Sequence, residues 1–219
     1  EIRRRGGKVI VVNPVKELGL MNFRIPSDVK SLLFGSEIAS SYVQPHIGGD
    51  IAWLLGVAKE VLDRGKQNQT FLDWHTEGFD EFRRLAEATS WDEIVACSGV
   101  SREQIQQIAD QYISADNVVI GWCMGITHHL HGTNSVQMIA NVALLRGMVG
   151  RRKAGVMPIR GHSNVQGLGS VGVTPTLKTA LLQKLEARLG IEVPTSPGYD
   201  TMACMNAAHR GEMGFSLCL

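Results

Sequence analysis

The chain has 219 residues, 44% of them hydrophobic, 20% charged and 6% aromatic, with a net charge of +1 and a mean hydropathy of −0.01; that is an ordinary composition for a soluble globular protein of one large or two small domains. No stretch reaches the roughly 18 uninterrupted apolar residues of a membrane span, and the basic start Arg3-Arg4-Arg5 leads to no small-residue cleavage site, so membrane and secretory classes are excluded. Cys97, Cys123, Cys204 and Cys218 stand far apart without CxxC spacing, which argues against a zinc ribbon or a disulfide framework and for a reducing, cytoplasmic compartment. The chain starts at Glu1, meets an apolar run at 9–12 and stops on another at 214–219, and so reads as a piece of a longer polypeptide.

In chain order, residues 8–12 form an apolar run closed by Asn13-Pro14, which predicts a buried strand with a turn at its carboxyl end. Residues 19–45 read as a largely irregular excursion with a helical turn at 29–34. Asp50 is placed to cap a helix carrying Ile51, Leu54, Leu55, Ala58 and Leu62 on one face and ending at Gly65. Phe79, Phe82, Leu85 and Ala86 mark a short helix. Ser90-Trp91-Asp92-Glu93 and Ser101-Arg102-Glu103-Gln104 are capping-box patterns, the second opening a helix with Ile105, Ile108, Ala109 and Tyr112 on its apolar face.

Residues 117–124 give a second strand, with Cys123 in it; Cys218 is likewise assigned to a strand. Thr133 or Asn134 opens a helix with Val136, Ile139, Ala140, Ala143, Leu144 and Met148 on one face and Gly147 and Gly150 near its end. Thr174-Pro175 provides a cap and first turn for a last helix, with Leu177, Leu181, Leu182, Leu185 and Leu189 as its stripe and Gly190 as its stop. Strands separated by helices predict a parallel α/β sheet.

The near-neutral total hides an asymmetry. Residues 117–185 contain no Asp or Glu but hold Arg146, Arg151, Arg152, Lys153, Arg160, Lys178 and Lys184, a charge of +7 that leaves −6 for the rest. The same segment holds 10 of the 24 glycines and four of the seven histidines; cations and open backbone without carboxylates suit a phosphate-bearing polyanion, or form no more than a basic surface patch. Gly167-Leu168-Gly169-Ser170-Val171-Gly172 matches the GxGxxG dinucleotide pattern, but no hydrophobic strand precedes it, which leaves an NAD-binding domain as a minor alternative. His128-His129-x-His131 and His162 lack carboxylate or CxxC partners, and read as polar loop residues or ligand donors rather than zinc ligands.

Three blocks occur in one order: Gly121-Trp122-Cys123-Met124-Gly125-Ile126-Thr127-His128-His129, then Leu144-Leu145-Arg146-Gly147-Met148-Val149-Gly150, then Pro158-Ile159-Arg160-Gly161-His162-Ser163-Asn164-Val165-Gln166-Gly167. Together they resemble the large subunit of molybdopterin oxidoreductases of the dimethyl-sulfoxide-reductase superfamily, in its formate-dehydrogenase-like branch. The resemblance implies a doubly wound, mostly parallel α/β domain over 1–162, Rossmann-like and binding molybdopterin guanine dinucleotide, with 163–219 part of a second α/β domain. It further implies that the strands at 9–12 and 118–122 share one sheet whose carboxyl ends meet at the ligand crevice.

The implied cofactor is molybdenum bis(molybdopterin guanine dinucleotide), whose four phosphates would match the acid-free segment; a 4Fe-4S cluster and the metal's own ligand would lie upstream of Glu1. Asn13 matches an Asn-Pro beside a guanosine, and Gly48-Gly49-Asp50 matches a turn whose carboxylate pairs with guanine. Met124, Gly125, Thr127 and His128 match the loop over pterin and metal, with His128 where glutamine is common and Cys123 where glycine is common. Arg160 matches the arginine that points at the metal and orients a small anion, His162 replaces the usual glutamine beside it, and Gly161 and Asn164 complete the motif. The expected activity is two-electron oxidation or reduction of a small substrate, formate first, with an electron-transfer partner and no nucleic acid. A non-catalytic α/β binding domain is the alternative of a different class, and the isolated fragment is expected to be inactive.

Overall fold

The structure is a computed structural model and describes residues 2–172, 178–196 and 198–215. It divides into two compact units, Glu1–Gly161 and His162–Leu219.

In the first unit, after a turn of 3-10 helix at Arg3–Arg5, come β1 (Ile10–Val12), α1 (Leu18–Met21), β2 (Asn22–Phe23), α2 (Val29–Phe34), β3 (Ser36–Glu37) and β4 (Ser41–Val43). The helices α3 (Asp50–Asp63), α4 (Gln69–His75), α5 (Phe79–Ala88), α6 (Trp91–Ser98) and α7 (Arg102–Ser114) follow without a strand between them. The unit ends with β5 (Val119–Trp122), α8 (Met124–Thr127), α9 (Gly132–Leu145) and β6 (Gly155–Pro158).

The core is built around α3, which packs against α5, α6, α7 and α9. Trp53, Leu54, Leu55, Val57, Ala58 and Val61 are all buried, more than one amphipathic face can supply, because neighbours cover α3 on several sides. Gly56 makes the closest crossing: a Cβ there would stand 3.0 Å from Ile94 and 3.1 Å from Ile105. Ser90 and Ser101 cap α6 and α7 as expected, accepting from the Glu93 and Gln104 N–H groups at 3.2 Å each. Buried Glu60 takes Arg64 on one oxygen and Gln106 on the other, fastening α3 to α7. The Tyr112 hydroxyl donates to the Val142 carbonyl at 2.7 Å and joins α7 to α9, and burial raises its pKa.

The class is α/β with parallel strand pairs, but the single sheet expected from 9–12 and 118–122 does not form. β1 pairs parallel with β4, β5 pairs parallel with β6, β2 and β3 make a small antiparallel pair, and no ladder joins β1 to β5. The reason is visible at β4, where Gln104 of α7 donates to the Tyr42 carbonyl and Gln111 to the Ser41 hydroxyl. Gln104 thus takes a backbone carbonyl that a further strand would use, and Gln111 ties α7 to the same strand through a side chain. Nor is β1 fully buried: Ile10 and Val11 are half-covered and Val12 is 36% exposed. The excursion at 19–45 is more ordered than its composition suggests, containing α1, α2 and three short strands.

Two helix starts differ from expectation, that of α3 and that of α9, which begins at Gly132 with His131 as its N-cap rather than at Thr133 or Asn134. Gly49 is the N-cap of α3 and Asp50 its first residue, making no capping bond; Gly48, at φ +85°, turns the chain one residue earlier than a capping Asp50 requires. In α9 the buried stripe is Met138, Ile139, Val142, Ala143 and Leu145, while Val136, Ala140 and Leu144 are half-covered, because α3 and α7 meet that helix further round its axis. Cys123 is the N-cap of α8, just past the end of β5, rather than a strand residue.

The second unit contains α10 (Val165–Ser170), α11 (Thr179–Leu189) and α12 (Thr201–His209). Gly190 ends α11 in the left-handed conformation, as predicted, and the Asp200 carboxylate caps α12. Thr174-Pro175, Leu177 and Cys218 lie outside the described residues. Gly167 and Gly169 sit within α10, with no strand leading into it, so the dinucleotide pattern lacks the strand–turn–helix setting it needs and the NAD reading fails. Among the described residues no helix is long and apolar enough to cross a membrane.

Candidate functional site

Parallel pairing makes β5 and β6 finish at the same end, in register from Val119↔Gly155 to Trp122↔Pro158. The Ile159 N–H extends the ladder to the Trp122 carbonyl at 2.8 Å. Beyond it, the chain after each strand turns over a cleft of about 240 Å³, lined by Trp122, Cys123, Met124, Thr127 and His128 from one side and Pro158, Ile159, Arg160 and Gly161 from the other. A crevice outside the carboxyl ends of parallel strands is where α/β folds hold ligands.

Five residues singled out in the sequence therefore come together here: Met124, Thr127, His128, Arg160 and Gly161. Gly125 is close by in α8, its carbonyl bonded to the His129 ring Nε2 at 2.8 Å. The loop from α8 to α9 is held tight at Gly132, where any Cβ would strike the Thr127 carbonyl oxygen. Trp122, Cys123, Pro158 and Ile159, which belong to the same sequence blocks but were given no ligand role, complete the walls; β6 itself is not among the predicted strands, the apolar run at 155–159 being its available sign. Among the described residues Arg160 makes no hydrogen bond or ion pair, and its guanidinium is exposed at the cleft.

The cations of the acid-free segment that lie in the first unit are not gathered at the cleft. Arg146 bonds the carbonyls of Tyr112 and Ala115 and lies over the Tyr112 ring at 5.2 Å, so it is spent closing the end of α7. Arg151, Arg152 and Lys153 precede β6, whereas Arg160 follows it; four strand residues, on the order of 13 Å, lie between the triplet and the cleft. Of the five cations of the acid-free segment that lie in the first unit, Arg160 is the one that lines the cleft.

A second group of expected ligand residues lies at the carboxyl ends of β1 and β4. Asn13 directly follows β1, but its amide donates to the Val15 carbonyl (2.7 Å) and the Glu17 carboxylate (2.6 Å), which leaves its oxygen as the uncommitted atom. Gly48 turns the chain and Gly49 packs against the Cys97–Ser98 backbone, with the His46 N–H bonded to the Ser98 carbonyl at 2.7 Å, and the two deliver Asp50 to the start of α3. Asp50 is only 8% exposed, and the indole N–H of Trp53, one turn on, is buried without a hydrogen-bond partner. Burial raises the Asp50 pKa.

His162 and Asn164 belong to the second unit, where Asn164, at φ +53°, precedes α10. His131 is the N-cap residue of α9 and His129 is committed to Gly125. Among the described residues no three His, Cys, Asp or Glu side chains are grouped to hold a metal ion.

No protein-family model matches the chain. In fold it is similar to acetylene hydratase from Pelobacter acetylenicus, with a TM-score of 0.55 over 69% of this chain and 19% of that one, at 16% identity. In sequence it is similar to protein YdeP of Escherichia coli, 38% identical over 228 residues, 99% of this chain and 30% of that protein. The uncharacterized oxidoreductase Rv2900c of Mycobacterium tuberculosis is 35% identical over 218 residues, 96% of this chain and 28% of that protein. YrhE of Bacillus subtilis, whose name contains formate dehydrogenase, is 30% identical over 186 residues, 81% of this chain and 19% of that protein. The chain thus has an α/β fold shared with part of acetylene hydratase. It is a sequence relative of proteins named as oxidoreductases, and it spans less than a third of the length of these relatives.

Proposed function

We propose that the chain is the cofactor-binding part of a molybdopterin oxidoreductase of the dimethyl-sulfoxide-reductase superfamily, formate-dehydrogenase-like in type. The observation that carries this reading is the unpaired Arg160 in a cleft at the carboxyl ends of β5 and β6, facing the loop that holds Met124, Thr127 and His128. These residues fit an anionic group. Arg160 has no counter-ion among the described residues, and a side chain at Gly161 would crowd the Met124 methyl group, so the chain comes close here because the position is glycine.

Met124, Gly125, Thr127, His128 and Gly161 would hold the pterin portion, while Asn13, Gly48 and Asp50 would take a guanosine. Asp50 suits that role because its carboxyl is buried with no capping bond to satisfy. When bound, molybdenum bis(molybdopterin guanine dinucleotide) supplies two-electron chemistry that protein side chains lack. Arg160 orients a small anion with its planar fork, and His162 stands next but one to it in the chain. Formate is the first substrate to try. Any 4Fe-4S cluster would draw its ligands from outside the described residues, and an electron-transfer partner and a cytoplasmic location complete the proposal.

The test is metal analysis and pterin fluorescence of the intact protein, followed by a formate-dependent dye-reduction assay. Stoichiometric molybdenum or tungsten with pterin is expected. An intact protein purified without either would leave a non-catalytic α/β binding domain as its role.

A further inference from the structure

Buried donors are nearly always paired, yet among the described residues the indole N–H of Trp53 has no hydrogen-bond partner and its nitrogen is closed off from solvent. Trp53, like Asp50, is 8% exposed. Asp50 opens α3 and Trp53 stands three residues on. Residues at that spacing share a helix face, and long helical side chains lean towards the N-terminus, which lays the Trp53 ring over the turn that begins at Asp50. The carbonyls nearby are in use: that of Gly49 accepts from the Trp53 backbone N–H at 3.3 Å, and that of His46 from the Gly49 N–H at 2.8 Å. The Asp50 carboxylate makes no capping bond. The first turn of α3 therefore holds an unpaired donor and a buried carboxylate on one face.

We propose that Trp53 is a positioning residue for guanosine recognition: its indole N–H donates to one Asp50 oxygen and fixes the carboxylate in the orientation that accepts from both the N1–H and the exocyclic amino group of guanine. The role of Trp53 rests on the guanosine role proposed for Asp50. A carboxylate has lone pairs for about four donors, so the indole bond leaves room for the two from the base. A buried ionised carboxylate also needs a full set of donors, and the indole adds a third to the two that guanine brings. Without it the carboxylate is free to turn, and a base with one donor is then accepted almost as well as a base with two. Trp53 thus sets the preference between purines without touching the base.

The test compares guanosine monophosphate with inosine monophosphate, which lacks the amino group, by calorimetric titration of the intact protein produced without molybdopterin. Two changes at position 53 remove the N–H: Trp53→Phe, and replacement of Trp53 by β-(3-benzothienyl)alanine, which puts sulfur in place of the indole N–H and keeps the shape of the ring. Circular dichroism checks that both keep their helices. The wild type should prefer the guanosine nucleotide by about tenfold, the effect of one hydrogen bond to a charged group. Both changes should cut that preference to roughly twofold, and in an Asp50→Asn background neither should alter it further, because the effect runs through the carboxylate. An unchanged preference with the benzothienyl residue would overturn the proposal and leave the role of Asp50 standing. Equal weakening of both nucleotides would also overturn it, as that is what lost packing alone produces. A wild type without preference would overturn it together with the guanosine role of Asp50, while the molybdenum and pterin content of protein purified with its cofactor tests the oxidoreductase reading separately.

Discussion

Gly161 and Met124 meet across the mouth of the cleft so closely that a Cβ on Gly161 would stand 2.6 Å from the Met124 methyl carbon. The obstructing atom is the far end of a flexible side chain, and Gly161 has no left-handed backbone angle to protect. The Gly161→Ala variant should therefore fold with a stability change of about 0.5 kcal/mol or less. Its displaced Met124 side chain would have to move within the cleft, so cofactor occupancy should fall, and adding Met124→Ala should restore it. An unchanged metal and pterin content in Gly161→Ala would show that this contact does not shape the site.

Gly132 presents the contrasting case. There the obstruction is the Thr127 carbonyl, which is backbone and cannot rotate away, so Gly132→Ala should push α8 off the start of α9. A loss of about 2 kcal/mol is expected, within the range for overpacked sites. Chemical denaturation of the two alanine variants side by side checks the ordering, and equal stabilities would contradict the close approach at Gly132.

Asp50 gives a pH-dependent prediction. Burial raises its native pKa above the ordinary 3.8, so the folded state holds a proton that the unfolded chain releases more readily. The contribution to stability is present below the ordinary value and is lost as pH rises through the native one. Asp50→Asn does not titrate. In cofactor-free protein it should be more stable than wild type at neutral pH, with the advantage disappearing in acid. In the intact protein the same variant should carry less molybdenum and pterin, because an amide cannot accept both guanine donors. Denaturation at two pH values and metal analysis check the two halves, and a variant with less stability at pH 7 would mean that the carboxylate is satisfied by groups other than those described.

The contrast between the serine caps and Asp50 shows what the sequence made legible. Ser90 and Ser101 act within three residues of themselves, and their patterns carry over directly into α6 and α7. Asp50 has the same local credentials, but the left-handed turn at Gly48 and the packing of Gly49 on Cys97–Ser98 shift the helix start by one residue and bury the carboxylate. Strands three or four residues long carry too little alternation to be seen, and β4 and β6 exist through pairing with β1 and β5 some 30 residues away. For the same reason Met124, His128 and Arg160 could be named from motifs, while the Trp122 and Pro158 walls follow from a pairing register that no local pattern records. The charge count could not show that, within the first unit, Arg160 is the cation of the acid-free segment that reaches the cleft.

That guanidinium is the sharpest point of the catalytic proposal. Arg160 is exposed at the cleft with no partner among the described residues, so its charge and planar fork are available to a small anion. Two large dinucleotides would have many other contacts, from Asn13 and Asp50 to the α8 loop, and should remain bound without the fork. Arg160→Lys keeps one positive charge but loses bidentate geometry. In the intact protein it should load molybdenum near normally and lose at least tenfold in turnover, about 1.4 kcal/mol of transition-state stabilisation. Formate is assayed first and other small anions after it. Loss of metal and pterin in Arg160→Lys would make Arg160 a cofactor anchor instead. Normal loading with normal turnover on the true substrate would remove it from the mechanism, leaving His128 and Thr127 as the polar groups of the cleft on which to repeat the test.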